Sequence, residues 1–140
     1  MGELVGLPEW LAELLFVAAL LAIVFGYAGL KLRRRLKRTA QRRPNPTEAE
    51  FFALMQPDSS KAATRFLWDT TTLYTTPNLT PHPDDELGED LCIDDDDWSM
   101  DWPVEWAKQQ GFLESNLPEW PEGWRPTVRN YGRWLSMELR

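Results

Sequence analysis

The residues able to do chemistry lie close together. His82 is the one histidine of the chain and Cys92 the one cysteine, and from Asp84 to Asp101 there are ten acidic residues and no basic one. A Cys–His pair would provide a nucleophile and its base. Cys92, however, stands between Leu91 and Ile93, a setting that suits a small buried apolar side chain better. A calcium loop beginning at Asp94 would use Asp96 and Glu105 at its third and twelfth positions. Trp98 and Ser99 would then fall at the fifth and sixth, where a ligand and a glycine are needed. The run reads more simply as the acidic start of a helix, where carboxylates meet the positive end of the dipole. What remains is recognition. Asp94, Asp95, Asp96 and Asp97 form an anionic face for a basic protein partner, with Trp98 as its aromatic anchor.

The elements that must carry these residues read as helices. Pro44 and Pro46 end whatever helix precedes them. Thr47 is an N-cap, and Glu50 completes a capping box. Phe51, Leu54 and Met55 follow at helical spacing, and the helix is expected to stop near Pro57. Ser60 to Trp68 reads as another turn or two with Ala63, Phe66 and Leu67 inward. The Thr-rich stretch from Thr70 to Pro83 reads as loop. Trp102 to Gln110 reads as a helix ended by Gly111. Thr127 caps a last helix whose Val128, Tyr131, Trp134 and Leu135 share a face. Eight tryptophans are present. Trp98, Trp102 and Trp106 are four apart and belong to a core face. Trp120 and Trp124, among prolines, are expected on an exposed contact surface.

A different element places the protein. Trp10 to Leu32 reads WLAELLFVAALLAIVFGYAGLKL, with no charge from Leu14 to Leu30. About 20 apolar residues span a bilayer core, so this is a transmembrane helix. Lys31, Arg33, Arg34, Arg35, Lys37, Arg38, Arg42 and Arg43 follow it. Positive residues stay on the cytoplasmic side, which puts the short tail 1–9 outside and the C-terminal part inside. A cleaved signal peptide would carry its charges before the apolar run. Arg33, Arg34, Arg35, Lys37 and Arg38 are the residues expected to meet anionic lipid. Ala18, Ala22 and Gly26, four apart, would allow a weak homodimer, although a lipid-facing stripe is the simpler expectation.

Net charge is −7, but it hides two opposite parts. Residues 1–43 hold eight Lys/Arg and three Asp/Glu, and residues 44–140 hold seven and nineteen. So acidic a payload argues against nucleic acid. A single cysteine cannot form an internal disulfide, which fits the cytoplasm.

The stretch DDELGEDLCIDDDDWSMDWPVEWAKQQG, Asp84 to Gly111, resembles acyl-carrier-like domains, and in particular a family of small bacterial acidic proteins related to them. That family carries D-L-G-I-D-G-D-D before a helix that ends in Gly. Asp90, Leu91, Ile93, Asp94, Asp96 and Asp97 match, Gly111 has the expected spacing, and Cys92 and Asp95 replace the two glycines. The last helix, TVRNYGRWL, resembles the Thr-Val-initiated final helix of carrier domains. The resemblance covers residues 47–140 and implies a carrier-like helical fold. It also implies that Asp97 stands where a working carrier has the phosphopantetheine Ser, and a carboxylate cannot form that phosphodiester. Ser99 lies two residues late, and Pro103 falls inside the family's helix. A second string, His82-Pro83-Asp84-Asp85-Glu86, matches the zinc-binding motif of a family of sugar and amide deacetylases. That family needs a further downstream His and a larger α/β domain, and this chain has neither.

These readings converge on a mostly α protein. It has a tail over 1–9, a transmembrane helix over 10–32, a basic juxtamembrane linker over 33–46 and a carrier-like domain with long loops over 47–140. The expected function is a single-pass bacterial inner-membrane protein that presents a non-catalytic acidic domain to a basic protein partner through Asp94, Asp95, Asp96, Asp97, Trp98, Trp120 and Trp124. It is read as not an enzyme, without cofactor or metal. Two alternatives are a membrane-anchored carrier or accessory protein of lipid or polyketide metabolism, charged on Ser99, and an immunity protein against a basic toxin.

Overall fold

Helix α1 (Glu9–Arg42) starts directly after Pro8, whose carbonyl accepts the amides of Leu11 and Ala12 at 3.0 Å each. This computed structural model describes Gly6 and residues 8–140, so most of the expected tail 1–9 lies outside the described residues. The chain divides into two units, Met1–Arg34 and Arg35–Arg140. In the first, α1 is long and apolar enough to cross a membrane. Its Leu14, Phe16, Ile23, Phe25 and Leu30 are all exposed.

The second unit is helical and, among the described residues, has no strand. Helix α2 (Glu48–Met55) is capped by Thr47, whose hydroxyl oxygen accepts the Glu50 amide at 3.2 Å. Helix α3 (Lys61–Thr75) is capped by Ser60, which accepts the Ala63 amide at 3.1 Å. Helix α4 (Trp102–Gln110) ends on Gly111 at φ 81°, the left-handed conformation that only glycine adopts freely. Helix α5 (Val128–Leu135) starts at Thr127, which accepts the Asn130 amide at 3.1 Å.

Three departures from the sequence reading matter. The segment read as a linker over 33–46 is helical to Arg42, and its Leu36, Thr39 and Pro46 are buried. Leu36, Thr39 and Ala40 share a helix face. That short apolar stripe is masked in the sequence by the arginines around it, and it packs into the second unit. Next, α3 runs to Thr75, well into the stretch read as loop. Thr71 and Thr75 are buried there, their hydroxyls donating to Leu67 O at 2.6 Å and Thr71 O at 3.2 Å. A threonine that bonds back to the preceding turn hides its polar group, so a Thr-rich run is compatible with a buried helix face. Third, helix begins at Asp95 and passes through a π turn, Asp97–Asp101, before α4. Pro103 explains it. A proline has no N–H, and its ring clashes with the carbonyl four residues back. The wider turn, with the Trp102 amide donating to Asp97 O, admits it early in α4 without breaking the helix.

The core joins Leu36, Phe51, Met55, Leu67, Leu87, Leu91, Val128 and Tyr131, all nearly inaccessible. Aromatic contacts extend it. Phe66 meets Trp106 at 5.4 Å, Trp102 meets Tyr131 at 5.5 Å, and Tyr131 meets Trp134 at 5.4 Å, all edge to face, the arrangement that ring quadrupoles favour. The first amides of α5, which have no helical partner, are taken by the turn before Leu87. Val128 N–H donates to Asp85 O at 2.9 Å and Arg129 N–H to Pro83 O at 2.8 Å.

Candidate functional site

The acidic run falls into two halves with different fates. In the first half four of the five carboxylates pair with arginines of the fold, and Glu89 stays exposed. Asp85 is buried and receives both Nε and Nη2 of Arg43, at 2.9 and 2.6 Å, and the His82 amide at 2.8 Å. Asp84 pairs with Arg129 at 3.1 Å, Glu86 with Arg125 at 2.9 Å and Asp90 with Arg42 at 2.9 Å. The string from His82 to Glu86 is therefore a joint that ties Arg43 and the start of α5 together.

The second half is different. Among the described residues no Lys or Arg forms an ion pair with Asp94, Asp95, Asp96, Asp97 or Asp101. Asp94, Asp95, Asp96 and Asp101 are exposed and Asp97 is half-buried. Their bonds are to neutral donors. Asp94 Oδ1 accepts the Asp96 amide at 2.9 Å, Asp95 Oδ1 the Trp98 indole N–H at 3.2 Å, and Asp97 Oδ2 the Tyr74 hydroxyl at 3.2 Å. Burial pushes the Tyr74 phenol up, and the charges of Asp97 and Asp101 push it further, as a concentrated negative field must. Trp98 is half-buried against the core, on the π turn.

Trp120 and Trp124 are less exposed than expected. Both are half-buried, and Trp120 stacks on Trp134 and Tyr131 at 5.6 and 5.8 Å while donating its indole N–H to Trp124 O at 3.1 Å. The loop carries prolines, yet Trp120 folds back onto α5. Arg33, Arg34, Arg35, Lys37 and Arg38 are exposed and, among the described residues, unpaired with any carboxylate. Arg35 and Arg38, with Thr39, Gln41, Arg42 and Glu89, line a basic hollow of about 480 Å³. Ala18, Ala22 and Gly26 lie along the exposed apolar part of α1.

Ser99 is exposed on the π turn, and Asp97 is engaged with Tyr74. Cys92 has φ 57°, in the left-handed region. No group of three or more His, Cys, Asp or Glu side chains is gathered as metal ligands are, among the described residues. Sequence reasoning missed two features: the Arg43–Asp85 pair and the aromatic cleft beside Trp98. The Pro118-to-Trp124 spacing of aromatics was the one visible sign of the cleft. Compared with protein-family models, curated proteins and solved structures, the chain matches none.

Proposed function

We propose that this protein is a membrane-anchored, non-enzymatic docking module. Its apolar helix holds it in a bacterial inner membrane with the C-terminal unit in the cytoplasm, and Asp94–Asp97 with Trp98 receive a basic protein partner. The carrying observation is the contrast within the acidic run. A fold that pairs Asp84, Asp85, Glu86 and Asp90 with its own arginines leaves the next five aspartates uncompensated. Concentrated like charge opposes folding by self-repulsion, so a surface of this kind is explained best by a cationic partner that it steers and positions. The same chemistry keeps Arg33, Arg34, Arg35, Lys37 and Arg38 free for anionic headgroups.

The test uses the full chain in nanodiscs of zwitterionic lipid and hexalysine as probe. Replacing Asp94, Asp95, Asp96 and Asp97 with Asn keeps the local acceptors and removes the charge. Affinity is expected to fall about ten-fold or more at low salt. A control replaces Glu89, Glu105, Glu122 and Glu138 with Gln, removing equal charge elsewhere. Equal losses in both variants would mean that only net charge matters, and the docking reading would fall.

A second reading keeps the carrier-like relation and gives it chemistry. One observation favours it: Cys92 takes a left-handed backbone conformation at a position where the resembling motif has glycine. In that reading Ser99 would carry phosphopantetheine. Intact mass after incubation with a phosphopantetheinyl transferase decides it, and an unchanged mass removes it.

A further inference from the structure

The uncompensated turn opens directly onto a cleft of about 310 Å³, walled by Trp98, Trp120, Tyr131 and Trp134 and rimmed by Glu114 and Glu119. Small-ligand sites begin near about 300 Å³, so one side chain fits this space better than a large molecule. The rings have no free polar handle. The indole N–H of Trp98 donates to Asp95 Oδ1 at 3.2 Å, that of Trp120 to Trp124 O at 3.1 Å, and that of Trp134 to Pro118 O at 2.9 Å. The Tyr131 hydroxyl donates to Trp98 O at 2.6 Å. The rings therefore show an occupant carbon and π electrons, and no hydrogen-bond donor. At the mouth stand two carboxylates and one cation, Arg140, which lies 3.9 Å from Glu119 and donates to Ser115 O at 3.2 Å. Trp98, bonded to Asp95, is the wall shared with the acidic turn.

We propose that this cleft is the anchor pocket for one lysine or arginine side chain of the docking partner; the proposal rests on the reading of Asp94–Asp97 as the docking surface. A long cationic side chain has an apolar stem and a charged head. The stem lies along the ring carbons, where an ammonium or guanidinium is also attracted by the π faces. The head reaches Glu114 and Glu119. A purely apolar occupant would cover those carboxylates without pairing them, which costs free energy. An anionic occupant would meet a rim of net negative charge. The acidic turn supplies long-range attraction, and the cleft supplies register.

The experiment uses the full chain labelled with 5-fluorotryptophan, in zwitterionic nanodiscs, read by fluorine NMR. The probe is the blocked tripeptide Gly-Lys-Gly, with Gly-norleucine-Gly as its uncharged counterpart. The expected result is a saturable shift confined to Trp98, Trp120 and Trp134, with Trp68 and Trp106 unmoved. The norleucine peptide, and the E114Q/E119Q double variant with the lysine peptide, should bind about ten-fold more weakly. R140Q should bind the lysine peptide more tightly, because it removes the competing cation. Equal shifts from both peptides, no saturation, or weaker binding by R140Q would each overturn the pocket. The two readings fail separately. If hexalysine still depends on Asp94–Asp97 while the lysine tripeptide leaves the cleft unmoved, the pocket falls and the docking surface stands. If the tripeptide saturates the cleft while hexalysine ignores the four aspartates, the pocket keeps its cation and the docking surface falls.

Discussion

Cys92 holds the backbone at φ 57°, in the left-handed region that costs an L residue about 1–2 kcal/mol. Its side chain is half-buried against the core. A β-branched residue tolerates that backbone least. Cys92→Val should therefore lower the midpoint of urea unfolding, while Cys92→Gly should match or exceed the native chain. Burial pushes the Cys92 thiol up, against the opposing pull of Arg35. The thiolate fraction at neutral pH is thus small, and alkylation should be slower than for an exposed cysteine peptide. Asp58 shows the opposite electrostatics. Hydrogen bonds from Arg129 and Arg133, at 2.6 to 3.0 Å, hold its carboxyl below the ordinary value of 3.8. A depressed carboxylate adds stability that is fully present above the unfolded value and fades as the pH falls through the folded one. Asp58→Asn should therefore destabilise the protein at pH 7. The gap between variant and native chain should close in acid below both values; a gap that persists unchanged there would refute the assignment.

At the scale of elements, the end of α1 is part of the second unit's core. Leu36 and Thr39 are buried, and Thr39 donates its hydroxyl to Asp90 O at 2.8 Å. Arg43 holds Asp85, whose side chain is 4 % exposed. Removing one partner of a buried pair costs about 3–5 kcal/mol, because the other charge is left uncompensated. A fragment of residues 44–140 should then be poorly folded, whereas 35–140 should unfold cooperatively; circular dichroism on heating separates the two. Within the full chain, Arg43→Gln should also lower the melting temperature, but by less than the truncation, because Leu36 and Thr39 stay in place. If 44–140 melts like 35–140, the joint has no structural weight.

For the whole molecule, the charge asymmetry changes meaning once the unit boundary is known. The net +5 of residues 1–43 and −12 of residues 44–140 become 0 for residues 1–34 and −7 for residues 35–140. Part of the acidic excess was waiting for arginines that the sequence assigns to a linker. Among the described residues Arg33, Arg34, Arg35, Lys37 and Arg38 remain unpaired with any carboxylate, and they are available as a topology signal. On the proposed orientation, replacing all five with Gln should leave a fraction of the chains inverted in the membrane. Protease digestion of intact spheroplasts, probed through a C-terminal tag, reads that fraction, and uniform protection would show that the five charges do not set orientation.

The sequence alone determined the features that depend on near neighbours. The apolar run of α1, the caps at Thr47 and Thr127, the stop at Gly111 and the shared face of Val128, Tyr131, Trp134 and Leu135 follow from composition and spacing of three or four residues. The same local reading put an acidic helix start at Asp94–Asp97 and put Trp102 and Trp106 in a core. Tertiary structure decided the rest. Whether an aspartate is paired or left uncompensated depends on whether an arginine some forty residues away reaches it, as Arg43 reaches Asp85. Whether a threonine run is loop or buried helix depends on what covers it, as with Thr71 and Thr75. Whether Trp120 faces solvent or closes a cleft depends on α5 behind it. Each is a question of partners distant in the chain, and hydrophobic periodicity carries no information about those.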